Sequence, residues 1–226
     1  MLTWFPSPYP DELFYSVLCR YYLSSGIKEH NIVKRLLFGN RVGIKMATLY
    51  PNAAVHAVLS QLPEGVFDGH NVILHHTPFL YYTRMYPATE REALMDDLLQ
   101  GRSKTPTHLW RTFPKGDYAL RYCPLCVRED TQIYGEPYYH VEHQIPLSSV
   151  CVRHKCRLKQ IAVDNPRLAL NNRFYPLGTM GTDREPDMDV TPAELQVSEL
   201  VREYWRLPAS ISPPACNNLY QTLLNS

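Results

Sequence analysis

The sequence predicts a mainly α-helical protein that carries a small zinc-ribbon module. Apolar residues recur at helical spacing through the first half of the chain, and four cysteines cluster within residues 123–156. A length of 226 residues with 45% hydrophobic side chains is enough for one or two compact domains. We expect a helix-turn-helix-like N-terminal domain over residues 1–118, a zinc-ribbon domain over 119–175, and an acidic linker with C-terminal helices over 176–226.

The first two predicted helices form a hairpin. From Asp11 to Ser25, apolar and aromatic side chains recur three and four positions apart, which predicts a helix that Asp11 caps and Gly26 ends. A second helix follows after a very short turn and ends at Gly39. Two helices joined in this way are typical of helix-turn-helix folds.

Further helices are predicted on both sides of the cysteines. In the first half they run from Asn52 to Leu62, from Thr89 to Gln100 and from Thr105 into Arg111. Thr89 with Glu92, and later Thr191 with Glu194, match the capping-box pattern that starts a helix. Between about residue 120 and Tyr175 the helical period fades, and residues 176–192 have the composition of a linker.

The charge of the chain is nearly balanced but unevenly spread. Its 23 basic and 22 acidic side chains argue against a protein that holds nucleic acid by bulk electrostatics, because each neutralised phosphate needs its own cation. Residues 119–175 carry 8 basic and 5 acidic groups, whereas residues 176–226 carry 3 and 7. The sequence therefore predicts a modest basic face in the middle of the chain and an acidic C-terminal part.

Neither a membrane span nor a secretory signal is predicted. The uncharged stretch from Met46 to Pro63 is interrupted by polar residues and proline. The first twelve residues have no basic group and no continuous apolar core. We expect a cytoplasmic protein.

Four residues have the spacing of a zinc site. The pattern is Cys123-Pro-Leu-Cys126, then 24 residues, then Cys151-Val-Arg-His154. Pairs of ligands two residues apart suit tetrahedral zinc, and a closed set of three cysteines and one histidine is typical of a structural ion. Cys156 is an alternative fourth ligand, but His154 is favoured because its spacing repeats that of the first pair.

Two other interpretations of these residues are weaker. Disulfides are disfavoured in a cytoplasmic chain. A catalytic metal is suggested by His140-Val-Glu142, which superficially resembles part of the zinc-deaminase signature, but the order of the motifs is reversed and four ligands leave no open position. Since no nucleotide-binding or nucleophile motif is present either, we predict that the protein is not an enzyme.

Taken together, these motifs resemble the TniQ/TnsD family of transposon target-selection proteins. The similarity lies in the N-terminal Phe5-Pro6-x-Pro8-Tyr9-Pro10-x-Glu12-Leu13-x-Tyr15-Ser16 with Arg20 after it, and in Arg121-Tyr122-Cys123-Pro124-x-Cys126. It continues through Tyr134-Gly135-Glu136-Pro137-Tyr138, His143-Gln144-x-Pro146 and Cys151-x-x-His154. These motifs span residues 4 to about 158. Longer TnsD-type members continue well past the length of this chain.

The resemblance implies an adaptor in cut-and-paste transposition. Family members mark a target, either by binding DNA or by joining an RNA-guided CRISPR effector complex, and recruit a AAA+ ATPase that calls in the transposase. A second copy of the chain, as a homodimer, is a further candidate partner. The family pattern carries the zinc ligands to Cys123, Cys126, Cys151 and His154. It makes an N-terminal set of residues candidate contacts for the ATPase: Trp4, Phe5, Pro6, Tyr9, Glu12 and Arg20.

Two groups of basic residues are candidate DNA contacts. The first follows the helical hairpin and the second surrounds the zinc site: Lys34, Arg35, Arg41 and Lys45, and then Arg121, Arg128, Arg153, Lys155, Arg157 and Lys159. Two other functions stay open. One is a zinc-stabilised, sequence-specific DNA-binding regulator that acts alone, and the other is a zinc-dependent nucleic-acid enzyme.

Overall fold

A computed structural model describes residues 2–39, 53–63, 65–102, 119–163 and 173–210. Within these ranges it has eight α-helices and two pairs of short strands, which confirms the predicted mainly helical class. The helices are α1 Phe14–Ser25, α2 His30–Phe38, α3 Ala53–Leu59, α4 Gly69–His75, α5 Phe79–Thr83, α6 Ala88–Leu99, α7 Pro124–Tyr134 and α8 Pro192–Arg206. The strands are β1 Arg121–Tyr122, β2 Val150–Cys151, β3 Cys156–Arg157 and β4 Lys159–Gln160.

The helical hairpin of α1 and α2 forms as predicted, except at its start. Gly26 ends α1 with φ 67°, a left-handed conformation that glycine adopts without strain, and Gly39 ends α2. The prediction that Asp11 caps α1 is wrong, because the cap position is Leu13 and no side chain caps the helix there. Asp11 itself has φ 59°, and its carboxylate lies 3.3 Å from His140. The Asp11 side chain thus contacts His140, which is distant in sequence, and does not cap the helix as the local pattern predicts.

The middle helices α3 to α6 differ from the prediction in detail. The capping box of Thr89 and Glu92 is wrong, since α6 begins at Ala88 after Pro87 and has no side-chain cap. Helices α4 and α5 were not predicted because they are too short to show a clear period. Asp68 caps α4 by accepting a hydrogen bond of 2.9 Å from the backbone nitrogen of His70. The helix predicted from Thr105 into Arg111 lies outside the described residues.

The zinc-ribbon region combines two antiparallel strand pairs, β1 with β4 and β2 with β3, with one helix. The expectation that helical structure fades here is wrong, because α7 follows the first cysteine directly. The local signals for this helix are ordinary ones. Cys123 is at the cap position, Pro124 is in the first turn, and Gly135 ends the helix with φ 83°.

Helix α8 closes the fold. Its predicted capping box of Thr191 and Glu194 is confirmed. Val201 and Trp205 join the hydrophobic core, and the fully buried guanidinium of Arg84 donates hydrogen bonds to the last carbonyls of the helix region, including that of Trp205 at 2.8 Å. One cluster of buried side chains runs from Leu2 to Trp205 and so links all three predicted segments. The boundaries at residues 118 and 175 stay a prediction.

Candidate metal centre and the seam beside it

The first ligand pair is built by the start of α7. Cys123 is the residue before the helix, and Cys126 follows one turn later. The backbone nitrogen of Cys126 donates to the Cys123 sulfur at 3.4 Å, so the helix start turns both sulfurs to the same side. Both side chains are buried.

The second pair is built by the turn between β2 and β3. Cys151 ends β2, and the backbone nitrogen of Lys155 donates to the Cys151 carbonyl at 2.7 Å, which closes a tight turn. Lys155 takes φ 51° in this turn. The turn places His154 over the sulfur of Cys151.

Four ligand atoms converge. The Nδ1 atom of His154 lies 3.5 Å from the sulfur of Cys123, 3.3 Å from that of Cys126 and 3.6 Å from that of Cys151. The sulfurs of Cys126 and Cys151 are 3.7 Å apart. Tetrahedral zinc, with Zn–S near about 2.3 Å and Zn–N near about 2.0 Å, requires sulfurs about 3.8 Å apart and sulfur–nitrogen distances of about 3.5 Å. These four residues therefore fit a tetrahedral ion.

Cys156 lies beside this group and outside it. Its sulfur is 3.3 Å from that of Cys123 and is fully buried. However, the set of atoms that all lie within 4.8 Å of one another consists of Cys123, Cys126, Cys151 and His154. The geometry thus favours His154 as the fourth ligand and leaves Cys156 as a neighbour of one ligand.

The thiols of this cluster shift one another's pKa values. Hydrogen bonds from the neighbouring thiols lower the pKa of Cys123 far below its usual range, and the same bonds raise the pKa of Cys126. The pKa of Cys151 is likewise raised to about 12, first by its hydrogen bond with Cys123. The chain by itself therefore favours one thiolate at this place. A divalent cation would stabilise three.

A carboxylate supports the histidine from behind. The Nε2 atom of His154 lies 3.3 Å from Oε2 of Glu129, while Arg153 donates to Oε1 of the same side chain. A carboxylate that accepts a hydrogen bond from Nε2 would fix the ring orientation and make Nδ1 a better ligand. Glu129 was not predicted from the sequence. Its signal is the position three residues after Cys126, one turn further along α7.

Next to the metal centre, the N-terminal segment and the zinc module meet in a polar seam. We define this seam as Asp11, Glu12, Arg20, Asp130, Glu136 and His140. Its first half is centred on Arg20, which pairs with the fully buried Glu12 at 2.9 Å and with Glu136 at 2.7 Å. The guanidinium also lies 3.7 Å from the centre of the Tyr9 ring. Burial raises the pKa of Glu12 to about 7, although Arg20 opposes the shift.

The second half of the seam is centred on His140. Its Nε2 atom lies 2.9 Å from Asp130 and its Nδ1 atom 3.3 Å from Asp11. Burial lowers the pKa of His140, but the hydrogen bonds and charges of these two carboxylates outweigh it and raise the pKa to about 10. His143 is buried against the His140 ring, and desolvation holds its pKa well below the usual value.

Comparison with known proteins shows which family the chain resembles over this region. The TniQ family profile matches residues 3–158, which include both ligand pairs and the whole seam. The chain belongs to the TniQ family. It is also 28% identical over 179 residues to the Transposon Tn7 transposition protein TnsD of Escherichia coli. The match covers 77% of this chain and 34% of that protein, so the chain spans about a third of the length of this curated relative.

The motif residues of this TniQ chain make contacts within the chain. Glu12, Arg20 and Glu136 form the first half of the seam. Tyr138 donates a hydrogen bond to the carbonyl of Pro10 at 3.0 Å. The side chain of Gln144 exchanges hydrogen bonds with the backbone of Arg121 at 3.0 and 2.8 Å, which ties the short helix at Glu142–Gln144 to β1. These residues thus hold the N-terminal segment against the zinc module.

The candidate ATPase contacts divide by exposure. Trp4 is 53% exposed and stacks on Tyr21, with ring centres 6.2 Å apart. Phe5, Pro6 and Glu12 are buried. Tyr9 and Arg20 are partly exposed and engaged with the seam. Partner contact stays a prediction for this set, and Trp4 is its most accessible member.

The candidate DNA contacts are also placed differently from one another. Lys34 is half-buried and Arg35 is exposed on α2, whereas Arg41 and Lys45 lie outside the described residues. Arg121 points inward and donates to the carbonyls of Ser148 and Ile145 at 2.8 and 3.0 Å. The other members of the zinc-proximal group lie at the surface, exposed or half-buried: Arg128, Arg153, Lys155, Arg157 and Lys159. DNA contact by either group stays a prediction.

Two further observations bear on function. None of the helices in the described part of the chain has the length and apolar character that a membrane crossing needs. Glu142, the acid of the deaminase-like motif, pairs with Arg206 at 3.0 Å and is not part of the four-ligand group.

Proposed function

We propose that this TniQ chain is a target-selection adaptor in DNA transposition, which links a marked target to a AAA+ regulator ATPase. The observation that carries the proposal is family membership over residues 3–158, together with the similarity to a protein whose name assigns it to Tn7 transposition. The target is marked by a DNA site or by an RNA-guided CRISPR effector complex. The basic surface of the zinc module supports the first of these.

The metal centre is a structural zinc site in this proposal. Cys123, Cys126, Cys151 and His154 supply four ligands at tetrahedral distances, so zinc bound to all of them keeps no position for a substrate or an activated water. The ion would hold the start of α7 and the β2–β3 turn together. The zinc module is accordingly a rigid platform, and the adaptor acts by binding.

The proposed ATPase contact is centred on Trp4. A tryptophan that is half exposed and stacked on a second aromatic ring offers a large apolar surface at low cost in side-chain entropy. Glu12 and Arg20 contribute indirectly, because they fix the N-terminal segment against the zinc module. This arrangement joins the partner-binding segment to the metal-stabilised platform.

A pull-down of the full chain with candidate AAA+ ATPases tests the proposal. Deleting the first twenty residues is unsuitable, because Leu2, Phe5 and Leu13 belong to the core. We expect Trp4→Ala to reduce ATPase capture at least about tenfold, as for a central aromatic contact. Ile133→Ala, at a residue 60% exposed on α7, is the matched control and should leave capture unchanged. Failure of the wild-type chain to capture any such ATPase from transposons of this type would overturn the proposal.

Duplex binding and ATPase capture, measured on the same purified chain, distinguish the adaptor function from that of a DNA-binding regulator that acts alone. The regulator requires tight duplex binding with a steep salt dependence and no ATPase capture. The adaptor requires capture. A nucleic-acid enzyme would instead lose turnover in Glu142→Gln while it keeps its fold.

A further inference from the structure

An acidic segment lies over the basic surface of the zinc module. We call residues 183–194 the acidic strap; it contains Asp183, Glu185, Asp187, Asp189 and Glu194 and a single basic residue, Arg184. Its carboxylates meet cations from three places of the zinc module: Arg128 on α7, Arg157 on β3 and Lys159 on β4. These same three cations are among the predicted DNA contacts.

One half of the strap is firmly held. Arg157 pairs with both carboxylate oxygens of Glu194, the second at 3.0 Å, and donates to the backbone carbonyl of Asp189 at 2.8 Å. Its backbone nitrogen donates to the Asp187 carbonyl at 2.9 Å. Glu194 is also part of the capping box of α8. The strap is therefore anchored where it enters the last helix.

The other half, residues 183–187, is held by long ion pairs of its carboxylates and by the backbone hydrogen bond from Arg157 to the Asp187 carbonyl. Arg128 lies 3.5 Å from Asp183 and 3.8 Å from Glu185, and these two carboxylates are 96% and 93% exposed. Lys159 lies 4.0 Å from Asp187. Exposed pairs of this kind contribute about 0 to 1 kcal/mol each and weaken with salt. This half can leave without disturbing the hydrophobic core.

Carboxylates and phosphates compete for the same arginine geometry. A guanidinium binds either one through paired N–H groups. Duplex DNA presents a continuous row of phosphates and gains free energy from counterion release with each one that a protein cation neutralises. Arg128 and Lys159 are weakly paired and are consequently better matched to DNA than to the carboxylates that they now face.

We propose that the strap occupies the phosphate-binding surface of the zinc module, and that duplex DNA binds there by displacing residues 183–187. The inference rests on the proposed function, in which this module faces target DNA. The strap is an internal competitor that weakens nonspecific binding. It also explains how a chain of net charge +1 keeps a basic face without holding DNA indiscriminately.

Neutralising the strap tests this inference. In the full zinc-loaded chain, the triple variant Asp183→Asn/Glu185→Gln/Asp187→Asn removes three negative charges and keeps the Glu194 anchor. The matched control, Glu90→Gln/Glu92→Gln/Asp96→Asn, removes three exposed charges from α6. Binding to a fluorescent duplex is measured by anisotropy over a series of salt concentrations, after equal zinc content and thermal stability have been verified.

We expect the strap variant to bind duplex at least about tenfold more tightly than wild type at low salt. Its plot of log affinity against log salt should steepen by about 2, because Arg128 and Lys159 become free to neutralise two more phosphates. The control should change affinity by less than about threefold, since its charges are remote. Adding Arg128→Gln and Lys159→Gln to the strap variant should cancel the gain.

Two results would overturn the inference: a strap variant that matches the control, or a gain that survives loss of Arg128 and Lys159. Absence of duplex binding by every variant would also overturn it. The adaptor proposal is tested separately, because ATPase capture should be the same for the strap variant and wild type. If the wild-type chain captures no ATPase while the strap variant clearly gains DNA binding, the adaptor proposal is rejected and the proposed displacement of the strap by DNA is supported.

Discussion

The metal centre and the polar seam are neighbouring regions that bury negative charge in two different ways. The candidate metal centre gathers three sulfurs around His154 and could hold a cation from solution. The seam buries Glu12 and surrounds His140 with Asp11 and Asp130, and its cations are side chains of the chain itself. The energetic problem is the same in both, since a buried charge without a partner costs several kcal/mol.

The two regions also differ in how far apart their residues lie in the sequence and in what should disturb them. The metal centre is local in sequence, because its first and last ligands, Cys123 and His154, are 31 residues apart along the chain. The seam is long-range, since Arg20 and Glu136 are 116 residues apart. We expect the metal centre to respond to zinc and chelator, and the seam to respond to substitutions of its own cations and to pH.

The largest effect should come from removing a zinc ligand. Cys123→Ser is expected to lose the ion and unfold residues near 120–160, because structural zinc contributes on the order of 10 kcal/mol or more to such a module. Zinc content and hydrogen exchange of this region measure the effect. Cys156→Ser is the matched control, since this buried cysteine lies outside the four-ligand set. Equal zinc loss in both variants would contradict the assignment of His154.

Removing the cation of the seam should have the next largest effect. Arg20→Met leaves Glu12 buried without its partner, which we expect to cost about 3 to 5 kcal/mol in the free energy of unfolding by urea. Arg102→Met is the control, because Arg102 pairs with Asp97 at the surface and should contribute less than about 1 kcal/mol. Adding Glu12→Gln to Arg20→Met should restore part of the loss. Similar losses in the two single arginine variants would mean that the seam pair is energetically a surface pair.

The pH dependence of stability should distinguish the seam further. The folded pKa of His140, about 10, lies above its unfolded value near 6.5. Its contribution is therefore fully present below about pH 6.5 and is lost as the pH rises through 10, with a slope of about 1.4 kcal/mol for each step of one in pH. Unfolding free energies of wild type should fall over this window in zinc-containing buffer, and His140→Gln should flatten the curve. His70→Gln, at an exposed histidine of α4, should leave the slope unchanged, and an equal flattening there would contradict the prediction.

The smallest expected effect concerns the support of the metal ligand. Glu129→Gln weakens the carboxylate contact to Nε2 of His154, which we expect to lower zinc affinity about 10- to 100-fold without unfolding the chain. Competition with a chromogenic chelator measures the change. Glu203→Gln, at an exposed position of α8, serves as control. Unchanged affinity in Glu129→Gln would show that the His154 ring is oriented by the turn alone.

The comparison also explains which features could be predicted from sequence. The four metal-ligand candidates could be predicted, because the two residues of each pair are three positions apart within one tight turn. Their spacing in the sequence therefore indicates that their side chains point to the same place. The seam was not, since nothing local marks Glu12 and Arg20 as partners of Glu136. Asp11 shows the limit most clearly, because the local rule for helix starts assigned it to α1 while the fold assigns it to His140. Helix α7 had readable end signals, but its polar sequence hid the period.

Zinc K-edge X-ray absorption of the purified chain shows whether three cysteines and His154 hold a tetrahedral zinc ion. We predict one zinc per chain with three sulfur ligands at about 2.3 Å, one nitrogen at about 2.0 Å and no oxygen. Well under one zinc, an oxygen in the inner coordination sphere, or four sulfurs with Cys156 in place of His154 would contradict it.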